Sequence, residues 1–140
     1  MPKISLSNDT PKTLCIWVEP WGEDYWMNPK ERFTIATETP EGVDSDEAPF
    51  DVSFHDKGVS VSVNGNEAVV HDQSGTALDC GHQRPLEVLR TWTESAEAAA
   101  RRTTDSSMVR TMREYAGLLR QALTRAEATE QQAQQRPPSP

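Results

Sequence analysis

Apolar and polar positions alternate with period two through most of the first 82 residues, as they do in strands that bury one face. Ile4–Ser7 opens the series and the turn cluster Asn8-Asp9-Thr10-Pro11 closes it. In Thr13–Glu19, Leu14, Ile16 and Val18 point one way while Cys15 and Trp17 point the other. Both faces are apolar, so both are predicted to be covered. Arg32–Glu38, Phe50–His55, Val59–Val63, Glu67–His71 and Thr76–Cys80 follow as further short strands. Asn64-Gly65 between two of them is a hairpin signal, since both residues tolerate positive φ. About seven strands at roughly ten-residue spacing predict a small antiparallel β-sandwich or barrel over 1–82.

The pattern changes at Gln83-Arg84-Pro85. From Leu86 to Gln135 there is no proline and Gly117 is the only glycine, and apolar residues recur every three or four positions. One stripe runs through Leu86, Leu89, Trp92 (or Val88, Trp92), Ala96, Ala99 and Ala100. A second runs through Met108, Met112, Tyr115, Leu119, Ala122 (or Leu123) and Ala126. Between them Thr103-Thr104-Asp105-Ser106-Ser107 favours caps and turns. The reading is a helical hairpin within 83–130, with helices near 85–102 and 106–130; one continuous bent helix is the alternative. Residues 131–140, rich in Gln and Pro, carry no core-forming side chains and are expected to be disordered. The predicted class is therefore α+β, with a β-sandwich or barrel followed by a helical hairpin.

Composition narrows the function classes. The 140 residues carry a formal charge of −8 and are 35% hydrophobic. No run reaches the ~18–20 apolar residues of a membrane span. The first residues lack a basic stretch followed by an apolar one, so no secretory signal is read and the expected location is the cytoplasm. Residues 1–85 hold 6 Lys+Arg against 15 Asp+Glu, net −9, while residues 86–140 are net +1. An acidic front half repels phosphate backbones, and interspersed Glu and Arg read as a solvated helix face, so nucleic acid is not an expected partner. Cys15 and Cys80, with Trp26 between them, have the spacing of an immunoglobulin disulfide. Leu78 stands where the tyrosine corner belongs, and the pair is read as two reduced thiols.

Few residues suggest chemistry. His71, Cys80 and His82 form the one conceivable zinc or copper constellation, without a Cys-x-x-Cys or His-x-His pair. His55 falls on a polar strand face. No nucleophile elbow or phosphate-cradling glycine loop is present. Glu41, Asp44, Asp46 and Glu47 read as a solvated acidic loop, a weak calcium site being the alternative. No catalytic residue and no cofactor are expected. The distinctive segment is Glu19–Pro29, read as a loop with Trp21, Tyr25 and Trp26. These aromatics either close the end of the barrel or anchor a protein partner. Met112, Tyr115 and Leu119 of the second helix are the other partner-binding candidates, packing on the sheet or on a second copy.

The run Glu19-Pro20-Trp21-Gly22-Glu23-Asp24-Tyr25, with Asn28-Pro29 and Phe33-Thr34-Ile35 after it, resembles small bacterial proteins that carry an E-P-W-G-E-x-Y segment and have no known activity. In those a Pro-Pro-Gly turn precedes the next strand, where this chain has Asn28-Pro29-Lys30-Glu31. The opening Asn8-Asp9-Thr10-Pro11 through Ile16-Trp17-Val18 looks like the β-domain of the von Hippel–Lindau protein, which implies a small sandwich and transfers no function. The leading expectation is a non-catalytic, cytoplasmic protein-interaction or assembly module. A metal-binding protein using His71, Cys80 and His82 is one alternative, and an acidic inhibitor or immunity-like protein that binds a basic partner is another.

Overall fold

In a computed structural model, residues 1–39 and 46–135 are described. The chain divides into two compact units, Met1–Arg84 and Pro85–Pro140. In the first, seven strands run in the order Lys3–Ser7 (β1), Leu14–Glu19 (β2), Glu23–Met27 (β3), Arg32–Thr37 (β4), Phe50–His55 (β5), Gly58–Val63 (β6) and Ala68–His71 (β7). They form a three-stranded sheet, β1-β4-β7, and a four-stranded sheet, β3-β2-β6-β5. One core joins the two: Ile16, Val18, Tyr25, Met27, Val59, Val61 and Val63 come from the larger sheet, and Phe33, Ile35 and Val70 from the smaller. Alternate strand residues face alternate sides, so the apolar set of each strand lands on the inner face and the sheets close as a sandwich. Among the described residues all ladders are antiparallel except β2 with β6, which is parallel, with Ile16 opposite Val59 and Val18 opposite Val61.

Three sequence expectations change here. The segment read as a loop contains a strand, β3, antiparallel to β2 with Cys15 opposite Trp26 and Trp17 opposite Asp24. Its apolar alternation is hidden because Tyr25 and Met27 face inward while Asp24 and Trp26 face outward, so aromatic residues occupy both sides. Thr76–Cys80 is not a strand: a single bridge, His71 with Ala77, is all it makes with β7. Asp72 holds this stretch as a turn instead, its Oδ1 accepting from the backbone N–H of Ser74 and Thr76. Asn64-Gly65 connects β6 to β7 in different sheets and makes no hairpin. Gly65 passes so close to β4 that a Cβ there would lie 2.1 Å from Thr37 Oγ1. The glycine serves close approach between chain segments, not a positive φ.

Asn8 ties the β1–β2 connection down. Fully buried, it donates through Nδ2 to the carbonyls of Lys12 and Met27, and its Oδ1 accepts from the backbone and hydroxyl of Thr10. Its own backbone pairs with Glu31 and Lys30. Asn28-Pro29-Lys30-Glu31 is a turn closed by a Glu31 N–H to Asn28 carbonyl bond, with Lys30 at φ 70°. That is the type II position where glycine is favoured.

The second unit is a pair of helices, Leu86–Arg102 (α1) and Ser106–Gln135 (α2). Asp105 caps α2, accepting from the Ser107 N–H and hydroxyl. The helix runs on to Gln135, so residues 131–135, expected outside any element, are helical; the rest of the expected tail lies outside the described residues. Leu89, Leu119 and Leu123 form the buried seam between the helices, with Leu86, Trp92, Ala96, Ala122 and Ala126 against it. Along α2 the line of buried and half-buried positions runs through Val109, Met112, Ala116, Leu119, Leu123 and Ala126 at alternating three- and four-residue steps, with half-buried Ala122 and Glu127 beside it. Met108 and Tyr115, which the sequence places on this stripe, are exposed. The seam is rotated by part of a turn because small Ala116 allows close approach to α1, whereas Tyr115 is too large for it.

Candidate functional site

Strand β3 and the segment Cys80–Arg84 together build the most elaborate polar constellation of the β-unit. Gly81 donates its N–H to the Asp24 carbonyl at 2.6 Å, and Trp26 donates to the His82 carbonyl at 2.9 Å. Gln83 adds a side-chain bond to the Trp26 carbonyl and another to Glu31. The segment therefore covers the outer edge of β3, an edge that would otherwise offer unpaired backbone to other chains. Gln83 and Arg84 belong to the β-unit for this reason, two residues beyond the boundary expected from sequence.

Asp24 sits at the centre. The residue is 2% exposed. It accepts from Arg84 Nε at 2.8 Å and Nη2 at 2.6 Å, from Trp26 Nε1 at 2.7 Å and from Cys80 Sγ at 3.5 Å. Burial pushes the Asp24 pKa upward, but the bonds from Arg84 and Trp26 and the Arg84 charge outweigh it and hold the carboxyl below its ordinary value. Gly81 is required for this pairing twice over, since its φ is 85° and a Cβ would meet the Arg84 guanidinium at 2.8 Å. The neighbouring thiols are the opposite case. Burial, reinforced by the Asp24 charge, pushes Cys15 up to about 12, and burial also raises Cys80. Both stay protonated at neutral pH, which weakens either as a nucleophile or a metal ligand. The constellation clamps a chain segment onto a strand.

The sequence candidates separate. Tyr25 is a core residue, buried in the sandwich with its hydroxyl donating to Glu23; as a partner anchor it is corrected. Trp26 is half-buried on the outer face, its indole committed to Asp24. Trp21, in the turn between β2 and β3, is 40% exposed and is the aromatic of this segment that reaches the surface. On α2, Leu119 is corrected in the same way, buried in the seam, and Met112 is half-buried beside it. Tyr115 is exposed, and with Met108 and Leu118 it makes an apolar flank next to the seam. Leu118, 65% exposed, was absent from the sequence stripe because its neighbour Leu119 satisfied the period.

His71, Cys80 and His82 are not brought together. His71 lies opposite Thr34 in the smaller sheet, Cys80 contacts Asp24, and the His82 ring meets Phe33 edge-on at 5.7 Å. Among the described residues no three His, Cys, Asp or Glu side chains gather where a metal ion could be held. Of the acidic loop, Glu41 and Asp44 lie outside the described residues, and Glu47 accepts from Asn64. Among the described residues no helix is long and apolar enough to cross a membrane. No family model, curated protein or solved structure matches the chain.

Proposed function

We propose that the chain is a non-catalytic protein-interaction or assembly module acting in the cytoplasm, with α2 as its principal contact surface. The observation that carries this reading is that α2 bears two adjacent apolar stripes and α1 covers one of them. Met108, Tyr115 and Leu118 remain exposed in a row on the other. Tyr and large aliphatic residues in such a row form the anchors of helix-in-groove contacts. Exposed Trp21 offers a second point of contact. The free thiols of Cys15 and Cys80 are in keeping with a reducing compartment, and the acidic balance disfavours a nucleic-acid partner.

The test is quantitative co-purification with the full chain and with the Tyr115→Glu/Leu118→Glu double variant. Both side chains lie outside the seam, so thermal unfolding should be unchanged while a partner retained by the parent protein falls at least about tenfold. Equal retention by both proteins overturns the reading.

A further inference from the structure

The larger sheet ends on β5, which has β6 on one side and, among the described residues, no ladder partner on the other. The β5–β6 hairpin closes at His55 opposite Gly58, and beyond the strand Asn64 donates to the Pro49 carbonyl in the same register. Hydrogen-bonded pairs alternate along an antiparallel ladder. The backbones of Pro49, Asp51, Ser53 and His55 therefore face β6, and those of Phe50, Val52 and Phe54 face outward. Phe50 and Val52 pack against the sandwich core, but Phe54, next on the same face, is 81% exposed. It is the most exposed of the large apolar side chains among the described residues. A free strand edge carrying a bare phenylalanine is a template for strand addition.

We propose that β5 pairs antiparallel with β5 of a second copy of this chain, joining two four-stranded sheets across a two-fold axis. This goes beyond the α2 reading above, at a different surface of the chain. The strand is complementary to itself. With Ser53 opposite its own counterpart, Asp51 faces His55 of the second copy and Val52 faces Phe54, each pairing occurring twice. The outward backbones of Val52 and Phe54 then exchange ladder hydrogen bonds with those of the second copy. Phe54 meets a β-branched side chain, a favourable cross-strand pair. No like charges oppose one another, whereas a parallel in-register pairing would set Asp51 against Asp51. The interface is isologous, so it closes at two copies and does not propagate.

The experiment is sedimentation equilibrium of the purified full chain from micromolar to millimolar concentration, with three variants. Phe54→Lys removes an exposed side chain and adds a charge at the edge. Val52→Pro removes an outward N–H that a sheet edge can spare. Leu118→Glu alters the helix face only. The expected result is a reversible dimer whose dissociation constant rises about a hundredfold in Phe54→Lys, roughly tenfold for each of the two copies. Val52→Pro should weaken it similarly and Leu118→Glu should leave it unchanged, with circular dichroism of all three like the parent. A monomer throughout the range overturns the β5 pairing, and the co-purification test then decides the assembly reading on its own. A dimer lost in Leu118→Glu and kept in Phe54→Lys also overturns the pairing while sustaining assembly through α2.

Discussion

Replacing Arg84 with Ala would leave the Asp24 carboxylate buried beside β3 without its cation. The pair is bidentate, with Arg84 17% and Asp24 3% exposed on their side chains, so solvent screens it little. Removing one partner of a buried ion pair costs about 3–5 kcal/mol. Trp26 and Cys80 still donate to the carboxylate, which places the loss near the lower bound, about 3 kcal/mol. For a unit of this size that lowers the melting temperature by about 12–24 °C. The pH dependence gives the stricter test. In the parent protein the Asp24 pKa is depressed, so its contribution is present above the ordinary carboxylate value of about 4 and is lost as pH falls through the folded value. In Arg84→Ala burial dominates and the pKa rises, so the penalty is fully present at neutral pH and relieved as pH falls. The stability gap between the two proteins, from urea titrations, should therefore be widest near neutral pH and narrow toward about pH 4. A gap under about 1 kcal/mol, or one that does not change with pH, would refute the reasoning, because an exposed pair behaves that way. The Asp24→Asn, Arg84→Gln cycle separates this coupling from other contacts of Arg84.

Three further outcomes are expected. Lys30→Gly should stabilise the β-unit by about 1 kcal/mol, because Lys30 holds φ 70° in a type II turn, while Lys30→Ala should gain nothing; thermal melts distinguish them. Asn8→Ala should cost about 3 kcal/mol or more in urea titrations, since it strips buried bonds from the Lys12 and Met27 carbonyls; a loss under about 1 kcal/mol would show water taking its place. Thr93→Val should change helix-unit stability by less than about 1 kcal/mol, because the fully buried hydroxyl bonds only the Leu89 carbonyl of its own helix and a methyl fills the same volume.

The strands that could be read from sequence are those whose two faces differ. Phe33, Ile35 and the valines of β6 alternate with Thr and Ser, and their registers follow. β3 is hidden in the sequence because each of its faces mixes types, Glu23 beside Tyr25 and Met27 on one and Asp24 beside Trp26 on the other, so neither reads as wholly polar or apolar. The clamp joins residues 60 positions apart, and nothing local in Asp24 or Arg84 marks them as partners. Gly81, with positive φ and no room for a Cβ, is the one residue whose type hinted at the approach. The helix pair is legible in extent at both facing ends, yet two stripes of α2 satisfy a three-and-four count, one through Met108, Met112, Tyr115, Leu119 and Ala122 and one through Val109, Met112, Ala116, Leu119 and Leu123. The count alone does not choose between them, and the structure buries the second, leaving Tyr115 exposed.

The parallel ladder between β2 and β6 shapes how the sandwich is reached from the unfolded chain. The larger sheet consists of two hairpins, β2–β3 and β5–β6, each closed by a short turn. Each is local in sequence, and its pairing does not depend on the other. Their union through Ile16–Val59 and Val18–Val61 requires the chain between them, β4 included, to loop around first. Within the larger sheet the loop-closure entropy falls on that step. The central ladder of that sheet is thus expected to form after the two hairpins. Until it does, the valine-rich face of β6 is uncovered, so the interval before that docking is when this chain is most exposed to aggregation.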